Sequence, residues 1–326
     1  MPGYYLWTIG CQMNDADAAI LRRGLEEMGF VPAGEPFAAD LVILVTCVVR
    51  QSAEDKVIGR LTSLKNLKRR NSRASILVMG CFVHDEPQLH ACYPFVDAFF
   101  TPSDINGVFR WLNEHTAGRE KAGTAITGQN ASSGSPVCAL VPISYGCDHH
   151  CTYCIVRLRR GRQHSRRLAE IMADVQDWAS RGAREVTLLG QNADAYGQDL
   201  GPAGPDLADV LSAAHEVEGL WRIRFLTSHP GHISEKLIHI VARLPKVCPH
   251  FELPVQSGHD DVLRRMGRRY SVAEYRALIQ AIRQQVPGSS IATDVIVGFP
   301  GEAEEHFQAT YDLLAELRFD AVHIAK

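Results

Sequence analysis

Short apolar runs alternate with helical patterns along almost the whole chain, and that alternation leaves few folds open. In the first third, Tyr4 to Ile9, Leu41 to Val45 and Ile76 to Met79 are runs of strand length. Between them lie Asp15 to Met28, with Ile20, Leu21, Leu25 and Met28 on one face, and Ser52 to Lys68, with Val57, Leu61, Leu64 and Leu67 apolar. Gly29 closes the first of these helical patterns. Strands alternating with helices predict an α/β fold with a doubly wound parallel sheet. Ligands of such sheets bind beyond the carboxyl ends of the strands. Each run ends there in a cysteine: Gly10-Cys11, Thr46-Cys47 and Gly80-Cys81. One buried cysteine reads as packing. Three at one edge read as a metal-centre site.

Residues 118–136 are rich in Gly, Ser, Ala and Thr without apolar periodicity, and read as a linker between a first domain, 1–117, and a second, 137–326. In the second, strand candidates are Val137 to Ile143, Glu185 to Leu189, Trp221 to Thr227, Phe251 to Val255, Ile291 to Val297 and Ala321 to Ala325. Helical patterns fall between them, at Ala169 to Ser180, Glu235 to Leu244, Val272 to Val286 and Glu304 to Leu317. Six such repeats predict a partial TIM-type (βα)6 barrel, open on one side, with its site at the carboxyl ends of the strands. The loops there carry Gly190-Gln191-Asn192, Ser228-His229-Pro230, Gln256-Ser257-Gly258 and Gly298-Phe299-Pro300-Gly301-Glu302. Residue by residue, each reads equally as a turn former. His229, before Pro230, reads as a loop-orienting hydrogen bonder rather than an acid or base.

After the run Val137 to Ile143 comes Gly146-Cys147-Asp148-His149-His150-Cys151-Thr152-Tyr153-Cys154, a C-x3-C-x2-C loop. Three thiolates on one loop can converge on a soft metal centre and leave a coordination position without a protein ligand. Zinc is the rival reading, with His149 or His150 as fourth ligand. Three closely spaced cysteines cannot all pair as disulfides. Cys92, Cys138 and Cys248 match no ligand pattern.

The N-terminal Met1 to Ile9 has no basic region and no long apolar core, so no signal peptide is expected. No apolar run approaches the ~18 residues of a membrane span. The cysteines therefore point to metal or redox chemistry in a reducing compartment, the cytoplasm. A net charge of −3 gives no global sign of nucleic-acid binding. Locally, Arg157, Arg159, Arg160, Arg162, Arg166 and Arg167 follow the cysteine loop. Arg160, Arg162 and Arg166 are the expected RNA contacts, since arginine binds phosphates and stacks on bases. Two further basic groups, around Arg264 to Arg269 and Lys65 to Arg73, read as readily as solvated faces.

The cysteine loop, with an aromatic before its last cysteine, resembles that of the radical S-adenosylmethionine (SAM) enzymes. Gly10-Cys11-Gln12-Met13-Asn14, Thr46-Cys47-Val48-Val49-Arg50 and Gly80-Cys81 narrow the resemblance to the methylthiotransferase family, closest to its MiaB-type tRNA branch. It covers nearly the whole chain. That resemblance implies two 4Fe-4S clusters and SAM as cofactors. Cys147, Cys151 and Cys154 would hold the cluster that cleaves SAM to a 5'-deoxyadenosyl radical, and Cys11, Cys47 and Cys81 an auxiliary cluster carrying the sulfur. Tyr153, Gln191, Asn192, Ser228 and Gln256 would lie near SAM, with no catalytic residue beyond the cluster ligands. The implied reaction puts a methylthio group on C2 of an isopentenyl-modified adenosine beside the anticodon. The implied partners are tRNA, an electron donor such as flavodoxin or ferredoxin, and a sulfur donor, with the chain acting as a monomer. Sister enzymes act on threonylcarbamoyl-adenosine or on a ribosomal-protein aspartate, and a non-enzymatic iron-sulfur or zinc RNA-binding module is the rival of another class. Arg157 and Glu252 stand where the family favours proline and histidine. The chain stops at Lys326, after the sixth strand, so the family's RNA-binding TRAM domain is expected to be absent.

Overall fold

The strand Leu41–Thr46 is buried at all six positions, which requires a sheet covered on both faces. It is β3 of a computed structural model that describes residues 1–116 and 137–326; the expected linker over 118–136 lies outside them. The described residues form two units, one of residues 1–116 with Leu158–Arg160, the other of residues 137–157 with Gly161–Lys326.

In the first unit β1 (Gly3–Thr8), α1 (Gln12–Glu27), β2 (Val31–Pro32), β3, α2 (Gln51–Leu64), α3 (Leu67–Arg70), β4 (Ser75–Gly80), α4 (Glu86–Cys92), β5 (Ala98–Phe100) and α5 (Ile105–Thr116) follow one another. The sheet is parallel throughout, in the order β2-β1-β3-β4-β5, so the winding direction reverses between β1 and β3. Side chains alternate across a strand, and β3 splits accordingly. Val42 and Leu44 join Val57, Leu61 and Leu64 of α2 in one core. Leu41, Ile43 and Val45 join Leu21 and Leu25 of α1 and Val108 and Leu112 of α5 in the other. The helix expected over Ser52 to Lys68 breaks in two: at Lys65 the backbone tightens, its N–H bonding the Thr62 carbonyl, and α3 restarts with Leu67 turned into the core.

The second unit runs β6 (Cys138–Pro142), β7 (Ser144–Tyr145), α6 (Val156–Arg160, whose last three residues belong to the first unit), β8 (His164–Ser165), α7 (Leu168–Ser180), β9 (Glu185–Leu189), α8 (Leu207–His215), β10 (Arg222–Leu226), α9 (Glu235–Arg243), β11 (His250–Glu252), α10 (Asp260–Arg265), α11 (Val272–Gln285), β12 (Ser290–Ile296), α12 (Glu304–Leu317) and β13 (Ala321–Ala325). Two parallel ladders, β6-β9-β10 and β11-β12-β13, are joined by a bridge between Ile223 and Val247, giving the open (βα)6 arrangement. The strand expected to reach Val255 stops at Glu252 because Pro254 has no N–H for the ladder. There the Val255 N–H bonds the Thr293 hydroxyl instead (3.0 Å).

Leu44 is fully buried. Leu44→Ala should cost about 2–5 kcal/mol, read as a lower urea midpoint of the metal-free chain. An unchanged midpoint would mean that β3 is not a central strand.

Candidate metal centres and the cavity beside the second

Strand order brings the first three cysteines together, since β1, β3 and β4 are adjacent and parallel. Cys11 caps α1 just beyond β1, while Cys47 and Cys81 follow β3 and β4. The approach is tight at Gly10, where φ is +130° and an added Cβ would stand 2.4 Å from the Cys47 Cβ. The Asn14 amide donates to the Ile9 carbonyl (2.8 Å) and the Thr46 carbonyl (3.0 Å), fixing the backbone ahead of both Cys11 and Cys47. Burial pushes the Cys47 and Cys81 thiols up, and each is raised further by its cysteine neighbours.

Arg160 turns into this cluster. Its Nη2 donates to Asn14 Oδ1 (2.6 Å), its Nη1 to Ser103 Oγ (3.0 Å), and the guanidinium interacts with the Cys81 and Cys11 thiols. Ser103, at φ +62°, passes its own hydrogen to Asp17 Oδ2 (2.9 Å). Burial pushes the Asp17 carboxyl up to about 6, against Arg160 and Ser103. This network was not legible in the sequence, apart from Asn14 in its motif.

The second three cysteines sit on the loop after β7. Gly146 has φ +70°, and a Cβ there would stand 2.0 Å from the Arg162 carbonyl oxygen. Cys147 N–H bonds the Gly161 carbonyl, Cys154 N–H the Cys151 carbonyl and Thr152 N–H the Met266 carbonyl. Arg157, in place of the family's proline, donates to the Cys147 carbonyl (3.4 Å) and Asp148 (3.1 Å) and so straps the loop from within. Arg268 reaches Cys151 Sγ (3.5 Å) while also held by Pro254 and Tyr270. Burial raises the Cys147 and Cys154 thiols, with the neighbouring cysteines adding to it.

Three thiolates on one tetrahedral zinc would lie roughly 3.8 Å apart. Among the described residues, the ligand sets gathered within 4.8 Å are His149, His229 and His232; His259, Asp261 and His306; and Glu252, Asp294 and His323, none with a cysteine. Both cysteine sets are therefore grouped but open, which fits a multi-iron centre better than one zinc ion. The histidine set does not fit a metal either. The Gly231 N–H donates to His229 Nδ1 (3.1 Å), so the neutral ring carries its hydrogen on Nε2 and offers no lone pair there. Burial, with Arg268 and the neighbouring histidines, lowers His229 to about 2, and burial first among its causes lowers His149 to about 4.

A cavity of about 680 Å³ opens here, walled in part by His149, Asn192, His229, His232, Arg268 and Arg269. Asn192 Nδ2 is held by His232 Nδ1 (3.1 Å), while its Oδ1 and the Ser228 hydroxyl are buried without partners. Gln256 is buried at φ +70°, a strained position for a side-chain-bearing residue. Gln191 is half-buried and the Tyr153 side chain exposed. Of these expected residues, Asn192 is the one on the cavity wall. His229 orients its loop: its N–H donates to Asp194 (2.9 Å).

The three arginines expected to contact RNA have different surroundings. Arg160 is committed as described, and Arg166 donates to the Pro142 carbonyl (2.8 Å) and pairs with Asp174 (2.8 Å). Arg162 is exposed. A run of arginines does not reveal which of its side chains the fold will use.

The family described as Radical SAM superfamily matches residues 141–314, and that described as Uncharacterized protein family UPF0004 matches residues 3–101. The tRNA-2-methylthio-N(6)-dimethylallyladenosine synthase of Dehalococcoides mccartyi is 47% identical over 100% of the chain, which spans 74% of that protein. The protein of the same name from Dictyoglomus thermophilum is 45% identical over 100% of the chain and 75% of its own length. Among solved structures, the radical SAM methyltransferase TsrM of Kitasatospora setae with a SAM analogue matches 100% of the chain and 73% of its own, with TM-score 0.72 at 13% identity, a likeness of fold.

Burial pushes the Asp194 carboxyl up to about 8, against the pull of the His229 N–H. In the unfolded chain it ionises near about 3.9, so between these values unfolding releases a proton and stability falls as pH rises. Asp194→Asn keeps an acceptor for His229 and removes that loss. Its Tm should therefore fall less than the parent's between about pH 5 and pH 8; parallel slopes would show an ionised Asp194 in the fold.

Proposed function

The chain belongs to the radical SAM superfamily and, within it, to the tRNA-2-methylthio-N(6)-dimethylallyladenosine synthases, and from that premise we propose how its residues divide the work of a tRNA methylthiotransferase. The reaction inserts a methylthio group at C2 of N6-isopentenyl-adenosine next to the anticodon. The cofactors are two 4Fe-4S clusters and SAM.

Cys147, Cys151 and Cys154 are the ligands of the SAM-cleaving cluster, and residues 137–326 its domain. Cys11, Cys47 and Cys81 are the ligands of the auxiliary cluster, on residues 1–117. The observation that carries this division is the presence of two separate three-thiol sets, each formed by elements whose glycines leave room only for backbone. When bound, the clusters and SAM supply the 5'-deoxyadenosyl radical, the sulfur and the methyl group. The chain supplies position and exclusion of water. Its raised thiols release protons on ligation, so loading should be favoured as pH rises.

Tyr153, Gln191, Asn192, Ser228 and Gln256 are the proposed SAM contacts. The unpartnered Asn192 Oδ1 and Ser228 Oγ suit the SAM amino, carboxylate or hydroxyl groups, since a buried polar atom left alone costs about 1–3 kcal/mol. The neutral rings of His149 and His229 add no charge to that wall. For tRNA, exposed Arg162 and the cavity-side Arg269 are available phosphate contacts. An electron donor such as flavodoxin or ferredoxin, a sulfur donor, a cytoplasmic setting and a monomeric state complete the reading.

Anaerobic reconstitution should give about eight iron per chain, and alanine at either cysteine set about four. Gly10→Ala should lose the auxiliary iron as the thiol set is pushed apart. Anaerobic turnover with isopentenylated tRNA should give the methylthio product by mass spectrometry. Zinc at about one per chain with no iron absorbance would sink the cluster assignment. Product on threonylcarbamoylated tRNA alone, or on the ribosomal protein alone, would move the substrate.

A further inference from the structure

Arg160 enters from the sequence as one of a run of basic residues, and the fold gives it a different task. Its guanidinium meets the Asn14 carboxamide oxygen at 2.6 Å and the Ser103 hydroxyl at 3.0 Å. Arginine can only donate, so its presence settles which end of the Asn14 amide is oxygen. The amide nitrogen is thereby turned to the Ile9 and Thr46 carbonyls, which precede the Cys11 and Cys47 turns. A flipped amide would set oxygen against both carbonyls.

The charge is arranged as deliberately as the geometry. From Arg160 the hydrogen bonds run through Ser103 to the Asp17 carboxylate, 1% exposed, whose Oδ1 has no partner. Chains of this kind polarise one another in a low-dielectric interior. Ser103 sits in the left-handed region, at φ +62°, to make the link. The guanidinium also interacts with the Cys81 and Cys11 thiols. A set of thiolates around iron is anionic, and a positive charge beside it favours the reduced, more negative state.

We propose that Arg160 is a positioning residue of the auxiliary centre: through Asn14 it fixes the Cys11 and Cys47 turns, and its charge raises the centre's reduction potential, with Asp17 setting the counterweight. This rests on the assignment of Cys11, Cys47 and Cys81 to that centre. It removes Arg160 from the tRNA-binding surface. Lysine cannot stand in fully, because one ammonium lacks the planar fork that spans Asn14 and Ser103.

The test uses the full chain with Cys147, Cys151 and Cys154 changed to alanine, so that all bound iron reports the auxiliary centre. Arg160→Gln, Arg160→Lys and Asp17→Asn are compared for iron content, iron loss to a chelator and midpoint potential by redox titration. Arg160→Gln should lose iron about 10- to 100-fold faster and shift the potential negative. Asp17→Asn should shift it positive. Arg160→Lys should hold the potential nearer the parent while losing iron faster than it. In the chain with all its cysteines, Arg160→Gln should bind tRNA as the parent does. Iron retention and potential indifferent to Arg160, or tRNA affinity lost with the iron kept, would overturn the proposal. If Arg160→Gln takes up no iron, the Asp17 and lysine variants still decide it: a potential that Asp17→Asn does not move positive, or iron held by Arg160→Lys as firmly as by the parent, overturns it. A background chain that holds no iron sinks the cysteine assignment together with this proposal, whereas iron held but unresponsive sinks this proposal alone.

Discussion

Parallel strands pair at a fixed spacing of about 4.8 Å, and the first unit depends on that spacing. It sets the carboxyl ends of β1, β3 and β4 side by side, so residues as distant in sequence as Cys11 and Cys81 become neighbours. The spacing also dictates what may follow each strand. Gly10 approaches the Cys47 side chain, and Gly80 would bring a Cβ within 2.4 Å of the Thr46 carbonyl oxygen, so neither place admits a side chain. The cysteines sit where backbone geometry alone would gather them, and Asn14 locks the result.

Desolvation is the common cause of the unusual protonation in both units. It raises the Cys47, Cys81, Cys147 and Cys154 thiols, raises Asp17 and Asp194, and lowers His149 and His229, in each case disfavouring the charged form. For Arg160 and Arg268, anionic neighbours outweigh the burial that opposes their charge. Each of them lies against a cysteine of its own set. The parallel was reached by different routes: Arg268 follows α10 in the barrel-like unit, and Arg160 ends α6.

Much of this was legible in the sequence. Apolar runs and their helical spacers located β1, β3 and β4 and the six parallel strands of the second unit, because period and length survive folding. β5 was missed, since Ala98-Phe99-Phe100 is too short a run to stand out. The cysteine sets were visible because each follows a strand or shares one loop. The arginines were not separable: whether Arg160, Arg162 or Arg166 is exposed depends on which way a short helix and a two-residue strand turn, and neither carries a period. The partners of Arg160 show the same limit. Asn14 stood in a visible motif, but Ser103 and Asp17 reach the cluster only through the packing of α1 against the segment before α5.

The first unit is discontinuous, since Leu158–Arg160 pack with residues far upstream. A fragment cut ahead of residue 158 would lack a piece of its own fold, leaving Asn14 and Ser103 facing a gap where a guanidinium belongs. During synthesis the sheet can form early, yet the network around Cys81 stays incomplete until the cysteine loop of the second unit has already left the ribosome. The short tripeptide thus imposes an order of maturation: the upstream thiol set reaches its finished form only after the downstream one has been made.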